Sequence, residues 1–367
     1  MTHQDYMRIA IEEAKKGEGF TNPNPMVGAV LVKDGKIIGK DYHHRYGEFH
    51  AERNVILNCK EDLHGAAIYV TLEPCCHYGK TPPCTEIMIE SGIKEVYIGS
   101  YDPNPKVNGG GIRQLENAGI KVVTDVLREE CDAINTVFFH YIEKKEPYVI
   151  LKYAMTADGK IATYTGASKW ITGEAARTRV QQSRKAYQGI MVGIGTVLAD
   201  DPLLTCRLEN ARNPIRIICD SKLRIPPDSN LVKTAREVPT IIAACQIDTE
   251  KKAMLEQYGC EILEIRQSDA GIDLKDLMRK LGQKGIDSIL LEGGGQLNFS
   301  ALQAGIVKKV ESYIAPKLFG GITAKTPVGG PGVEVPGNAF LLKNPKITQI
   351  QEDILIEWEV ETCLPEL

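Results

Sequence analysis

The sequence predicts an α/β protein made of two successive α/β layers, and three observations carry that prediction. Its 367 residues exceed one ordinary core, which holds about 100–200 residues. Short apolar runs alternate with helical periodicities along the whole chain, the pattern of layered α/β folds. A charged stretch closed by a proline, Glu143-Lys144-Lys145-Glu146-Pro147, interrupts that alternation with linker chemistry. The expected domains are therefore residues 1–146 and 147–367.

In the first half, Tyr6, Met7, Ile9, Ala10, Ile11 and Ala14 recur at helical spacing. Val27 to Val32 is an apolar strand, Asp34-Gly35 is a hairpin turn, and the strand resumes over Lys36 to Gly39. Helices follow at Ala51–Asn58, Thr85–Ser91 and Ile112–Asn117, alternating with strands at Ala67–Leu72, Glu95–Gly99 and Lys121–Asp125. A last helix is expected over Arg128–Ile142. The second half opens on a strand at Tyr148–Ala154. Strands at Gly189–Gly193, Ile215–Cys219, Thr240–Ala244, Glu261–Ile265 and Ser288–Leu291 alternate with helices at Glu174–Ser183, Thr249–Tyr258 and Leu274–Gly282. Two β-like runs, Val310–Ile314 and Ile354–Val360, close the chain.

Composition excludes several classes. With 43% hydrophobic and 25% charged residues the chain is globular, and no run approaches the ~18 apolar residues of a membrane span. A net charge of −4 gives no global basic footprint for duplex nucleic acid or anionic lipid. The opening Met1-Thr2-His3-Gln4-Asp5 is unlike a signal peptide, so a cytoplasmic, reducing compartment is expected. There, clustered cysteines point to metal or catalysis rather than disulfides. Cys75, Cys76 and Cys84 cluster, whereas Cys59, Cys131, Cys206, Cys219, Cys245, Cys260 and Cys363 read as small buried hydrophobes.

His50-Ala51-Glu52, Pro74-Cys75-Cys76 and Pro82-Pro83-Cys84 form the strongest local signal. One imidazole and two thiolates bind zinc and leave a fourth tetrahedral position for water, the pattern of a catalytic site. Zinc lowers the pKa of such a water to about 7. Glu52, two residues past the histidine, is placed to relay protons between water and a leaving amine. His50 and Cys84 each precede an expected helix, whose positive end favours thiolate. The alternative is a four-ligand structural zinc with His77 or Cys76 as the fourth, in which Glu52 would have no use.

This constellation resembles the zinc-dependent cytidine-deaminase superfamily, with its H-x-E and P-C-x-x-C signature. Eight residues rather than two separate the matching cysteines here. Thr71 to Cys84 is instead similar to the T-L-E-P-C-x-H-Y-G-K-T-P-P-C segment of riboflavin-biosynthesis deaminases. Cys76 stands where that family often has serine, which makes Cys75 and Cys84 the implied ligands with His50, Cys76 remaining a rival to Cys75. The resemblance also implies substrate contacts by Asn24 and His43 at the pyrimidine end, and by His77 and Lys80 at the ribose phosphate. Asp102-Pro103-Asn104-Pro105 matches the family too, or is a plain turn.

Gly193-Ile194-Gly195-Thr196 and Glu292-Gly293-Gly294-Gly295 each follow a strand, where glycines let backbone N–H groups approach a phosphate. Neither is a G-x-G-x-x-G fingerprint followed by an acid, so a standard Rossmann domain is disfavoured. Leu151-Lys152-Tyr153-Ala154-Met155-Thr156-Ala157-Asp158-Gly159-Lys160-Ile161-Ala162 is similar to the opening of the riboflavin reductase domain. Ser168 to Thr172, Val192 to Val197, Thr205 to Arg207 and the Glu292 motif follow in the family's order. The whole chain thus resembles the bifunctional riboflavin-biosynthesis deaminase–reductases. That implies a cytidine-deaminase-like three-layer α/β/α domain, then a dihydrofolate-reductase-like α/β domain.

It further implies two steps on one small molecule, using Zn²⁺ and NADPH. 2,5-Diamino-6-(5-phosphoribosylamino)pyrimidin-4(3H)-one is deaminated, and the ribosyl group of the resulting aminouracil is reduced to ribityl. Lys152, Asp200 and Glu292 would be the catalytic polar groups of reduction. Ser168, Arg184, Leu204, Arg207 and Glu292 would bind its substrate. Ala154, Trp170, Thr196, Asp200, Ser221, Gly294, Gly295, Gln296, Leu297, Asn298, Phe299 and Ser300 would bind the cofactor. Without the resemblance, Arg184 reads as an exposed cation closing a helix. Lys222 or Arg224 would meet the cofactor's 2′-phosphate on charge alone. A homo-oligomer is expected, with no nucleic-acid or membrane partner. The rival is a nucleoside or nucleic-acid deaminase with an unrelated C-terminal dinucleotide-binding module, against which stands the lack of an aromatic-basic stripe.

Overall fold

A computed structural model describes residues 1–105, 107–269 and 271–361, and falls into two units, Met1–Lys145 and Glu146–Leu367. Cys363 lies outside the described residues.

In the first unit, α1 (His3–Lys15) starts at a capping box: the Thr2 hydroxyl accepts from Asp5 N–H, and the Asp5 carboxylate accepts from Thr2 N–H. β1 (Gly28–Lys33) and β2 (Lys36–Tyr42) form the expected hairpin, with Asp34 and Gly35 at φ 50° and 71°. Then come α2 (Ala51–Asn58), β3 (Ala67–Leu72), α3 (Cys84–Glu90), β4 (Glu95–Ser100), α4 (Gly110–Asn117), β5 (Lys121–Val123), α5 (Arg128–Ile134) and α6 (Thr136–Lys144). The sheet order is β2-β1-β3-β4-β5, antiparallel through β3 and parallel from β3 to β5. Strand side chains alternate faces. Leu31, Ile68, Val70, Val96 and Ile98 pack on α2, α3 and α4; Val30, Tyr69 and Tyr97 pack against α1 and α5. The three layers follow from that alternation.

The single helix expected over 128–142 is two helices. Asn135 breaks it with φ −119°, and its buried amide accepts from Met26 N–H at 2.8 Å and donates to Met26 C=O at 2.9 Å. A side chain that bonds a distant backbone this way competes with helix continuation. The second helix then runs into the expected linker and ends at Lys144.

The second unit comprises β6 (Tyr148–Thr156), α7 (Glu174–Ala186), β7 (Gly189–Gly193), α8 (Ile194–Asp200), β8 (Ile215–Cys219), α9 (Asn230–Lys233), β9 (Thr240–Ala244), α10 (Thr249–Gln257) and β10 (Glu261–Glu264). It continues with β11 (Gln267–Ser268), β12 (Gly271–Ile272), α11 (Leu274–Gln283), β13 (Ser288–Leu291), α12 (Gly295–Gln303), β14 (Val307–Ala315), β15 (Leu342–Ile350) and β16 (Asp353–Val360). Its main sheet runs β10-β9-β8-β7-β13-β6-β14-β16-β15. Pairing is parallel from β10 to β14 and antiparallel beyond. The central strands are buried on both faces, as parallel strands covered by helices must be. One face packs on α11 and α12, the other on α9 and α10, with α7 over Tyr313 and Leu355.

Among the scattered cysteines, Cys131, Cys219 and Cys260 are buried, while Cys59, Cys206 and Cys245 are half-buried. The nine cysteines among the described residues are all free thiols.

Candidate active sites

The first unit holds a cavity of ≈ 470 Å³ whose wall includes His50, Glu52, Cys75, Asn24, His43, His77 and Lys80. His50 caps α2, and Cys84 is the first residue of α3 rather than the one before it. The loop joining β3 to α3 is closed by Cys84 N–H donating to Cys75 C=O at 3.1 Å. His50 Nδ1 lies 3.5 Å from both Cys75 Sγ and Cys84 Sγ, and the three ligand atoms fall within 4.8 Å of one another. The geometry answers the rivalry between Cys75 and Cys76. Cys76 Sγ packs where a Cβ on Gly110 would touch it, away from His50. His77 Nδ1 is buried without a hydrogen-bond partner, outside the three-atom cluster.

Glu52 is 3% exposed, and its Oε2 has no hydrogen-bond partner. Burial pushes its carboxyl up to about 7; His50 opposes that shift and Cys75 adds to it. Burial likewise takes His43 down to about 4, so its ring is neutral. Its Nδ1 faces Phe49 C=O at 3.0 Å, which can only accept, so the proton sits on Nδ1. His43 Nε2 therefore accepts from Asn24 Nδ2 at 3.3 Å, which fixes the Asn24 amide at the cavity wall. Lys80 sits on the rim with Nζ 3.9 Å from the Tyr46 ring centre.

Sequence reasoning missed Glu73. This buried carboxylate accepts from Gly109, Gly111 and Ile112 N–H at 3.0, 3.1 and 3.3 Å, tying the start of α4 to the strand end that leads to Cys75. Its signals were an acid inside an otherwise apolar run and its place in the T-L-E-P-C match.

The second unit holds a cavity of ≈ 840 Å³ at the C-terminal ends of β8, β7, β13 and β6. Lys152, Ala154, Ser168, Trp170, Arg184, Thr196, Asp200, Leu204, Arg207, Ser221, Glu292, Gly294, Gly295, Gln296, Leu297 and Ser300 all line it. Asn298 and Phe299 do not. On α12 they point into the core, where Asn298 Nδ2 donates to Pro327 C=O at 2.8 Å and Phe299 packs on Phe340. Helical periodicity turns those two away from the cavity while their neighbours face it.

Arg184 is not an exposed cation. Its Nε and Nη2 donate to Glu292 Oε1 and Oε2 at 2.8 and 2.9 Å, and its Nη1 to Thr205 C=O at 3.0 Å. That fork is spent on a carboxylate of the protein rather than held open for a phosphate. Burial would raise the Glu292 carboxyl, but Arg184, Lys152 and Arg207 outweigh it and hold it at about 2. Lys152 Nζ lies 5.7 Å from the Tyr313 ring centre. Gly195 and Gly294 line the cavity at points where a Cβ would meet nothing within 4 Å.

Residues 147–356 match the model of the RibD C-terminal domain, and residues 1–100 that of the cytidine and deoxycytidylate deaminase zinc-binding region. The riboflavin biosynthesis protein RibD of Actinobacillus pleuropneumoniae is 57% identical, the alignment covering 98% of this chain and 96% of that one. The chain belongs to the RibD family. Among solved structures, Acinetobacter baumannii RibD superposes with a TM-score of 0.88 at 36% identity, over 98% of this chain and 99% of that one. A diaminohydroxyphosphoribosylaminopyrimidine deaminase/5-amino-6-(5-phosphoribosylamino)uracil reductase of Thermotoga maritima gives 0.84 at 39% identity, over 98% of each chain.

As a RibD-family member the chain is an enzyme of riboflavin biosynthesis, a deaminase and a reductase acting on small molecules, with Zn²⁺ and NADPH as cofactors. Its first unit has the cytidine-deaminase-like fold and its second the dihydrofolate-reductase-like fold. The rival reading, an unrelated C-terminal module, is overturned by the match over 147–356. No helix among the described residues is long and apolar enough to cross a membrane. The donor set fits zinc. Tetrahedral bonds of about 2.0 Å to nitrogen and 2.3 Å to sulfur put N and S about 3.5 Å apart, as His50 and the two sulfurs are. The second cavity fits an extended dinucleotide in size, with two glycines opening room at the strand ends.

Proposed function

We propose that residues 1–146 deaminate 2,5-diamino-6-(5-phosphoribosylamino)pyrimidin-4(3H)-one and that residues 147–367 reduce the ribosyl group of 5-amino-6-(5-phosphoribosylamino)uracil to ribityl. The observation that carries the first half is Glu52, buried with one carboxylate oxygen unpartnered beside three metal-donor atoms. Zinc held by His50, Cys75 and Cys84 supplies Lewis acidity that makes water nucleophilic at neutral pH. Glu52 accepts the water proton and delivers it to the departing amine; its raised pKa suits both halves of that transfer. Asn24, fixed by His43, orients the pyrimidine, while His77 and Lys80 meet the phosphate end.

In the second half NADPH supplies hydride. Ala154, Trp170, Thr196, Ser221 and the Gly294–Leu297 turn with Ser300 hold the cofactor, and Asp200 closes the same wall. Lys152 presents a cation to the sugar oxygen that gains charge, and Glu292, kept ionised, aligns Lys152 and Arg184. Ser168, Leu204 and Arg207 form the substrate wall, Arg207 being the guanidinium suited to its phosphate.

The test gives the purified enzyme the diaminopyrimidine phosphoribosyl substrate with and without NADPH, following ammonia and nicotinamide absorbance. Ammonia release with no NADPH consumption refutes the two-step reading. Glu52→Gln should cost deamination about 10²–10⁴-fold and leave reduction of pre-deaminated substrate unchanged. A cytoplasmic, homo-oligomeric enzyme is part of this proposal, read by cell fractionation and sedimentation velocity.

A further inference from the structure

Selection of NADPH over NADH needs a cation at the ribose 2′-phosphate, and the second cavity offers several. Seven cations stand on its wall, Lys169 beside Trp170 among them. Lys152, Arg184 and Arg207 surround Glu292 at the end of β13. Arg177 donates to Thr172 C=O at 2.8 Å and lies over the Trp170 ring. Lys325 is held beside the β6 exit, where its C=O accepts from Ile161 N–H at 2.9 Å. Arg224 stands apart, following β8 together with Ser221.

Sheet order gives that separation a scale. β8 and β6 are three steps apart through β7 and β13. At about 4.8 Å per step their ends lie roughly 14 Å from one another. If hydride is delivered near Lys152 and Glu292, an extended dinucleotide reaches β8 with its adenosine half. At that end an acidic side chain would bind a free ribose 2′-hydroxyl and favour NADH, whereas an arginine accommodates the 2′-phosphate.

The acid present there is turned away. Asp220 is fully buried, its Oδ2 accepting from Ile225 N–H at 2.8 Å, so it offers nothing to a ribose. Its other oxygen, Oδ1, has no hydrogen-bond partner and lies 4.0 Å from Arg224 Nε. Arg224 thus leaves the end of β8 beside the Asp220 carboxyl, with its side chain more than half exposed. Lys222, two residues earlier, is exposed and does not line the cavity.

We propose that Arg224, joined by Ser221, recognises the cofactor's 2′-phosphate and sets the preference for NADPH, and that Lys222 has no part in it. This rests on the second cavity being the cofactor site. Titrating wild-type enzyme with NADPH and with NADH, and reading Trp170 quenching beside calorimetric affinities, tests both claims separately. Arg224→Gln should weaken NADPH binding about 10- to 100-fold, the worth of a charge-assisted hydrogen bond, with NADH within about 2-fold of wild type. 2′,5′-ADP should compete with NADPH in wild type and lose that ability in the variant. Arg224→Lys should recover part of the preference, and Lys222→Gln should bind both cofactors as wild type does. Equal losses for the two cofactors in Arg224→Gln, or loss of preference in Lys222→Gln, overturn the inference. Absence of Trp170 quenching in wild type overturns the cavity reading itself.

Discussion

The two cavities each hold a glutamate, and the two carboxyls are shifted in opposite directions. Glu52 has an unpartnered oxygen, and burial lifts it to about 7. Glu292 is gripped by both prongs of Arg184 and faces Lys152, and is held at about 2. Depth alone does not set a carboxylate's behaviour; the facing charge does. In the proposed mechanism the first takes up and gives back a proton within one turnover, and one of its oxygens is left open. The second is proposed to remain an anion, and Arg184 is its standing partner. Hydrolysis moves protons, whereas hydride transfer asks the protein for alignment and steady charge.

The contrast breaks most sharply at the metal. Cys84→Ser should lower bound zinc, measured by elemental analysis, and reduce deamination on the order of 10³-fold or more, with reduction untouched. Loss of both activities in a folded variant would contradict separate sites. Next in size, Glu292→Gln should lower the reductase kcat by about 10²-fold while NADPH affinity, read by calorimetry, stays within about 3-fold. A pure loss of affinity would make Glu292 a binding group only.

The pH arm is smaller. Glu292 is lowered from 4.5 to about 2, so its stabilising contribution is complete above pH 4.5 and fades as pH falls towards 2. Thermal unfolding followed between pH 5 and 3 should show a steeper loss in wild type than in Glu292→Gln. Equal slopes would mean that the Arg184 clamp adds no stability. The smallest effect is expected at the rim. Tyr46→Leu removes the ring under Lys80 and should raise the deaminase KM by about 2- to 5-fold with kcat unchanged.

Much of this was legible in the sequence where chemistry demands particular residue types. His50, Glu52, Cys75 and Cys84 stood out because metal ligands and a proton relay tolerate few substitutes. The partner of Arg184 was not legible, since Glu292 lies 108 residues away and only the fold brings them together. β15 escaped for a different reason. Nearly all its residues are exposed, so no apolar alternation marks it. Asn344 at φ 51° and Pro345 sit in a register shift against β16, which reads as a turn. The helix break at Asn135 was likewise invisible, because its cause is the backbone of Met26.

That last contact governs how the two activities can be cut apart. The match to the deaminase family ends at residue 100, yet Leu115 and Phe138 belong to the same buried cluster as Leu31 and Val70. A fragment ending at 100, or just before Asn135, would leave Met26 without its bidentate anchor two residues from Asn24. It would also open the core beneath α2, which carries Glu52. An excised deaminase that keeps Asn24 in place on the cavity wall must extend through α6 to Lys145.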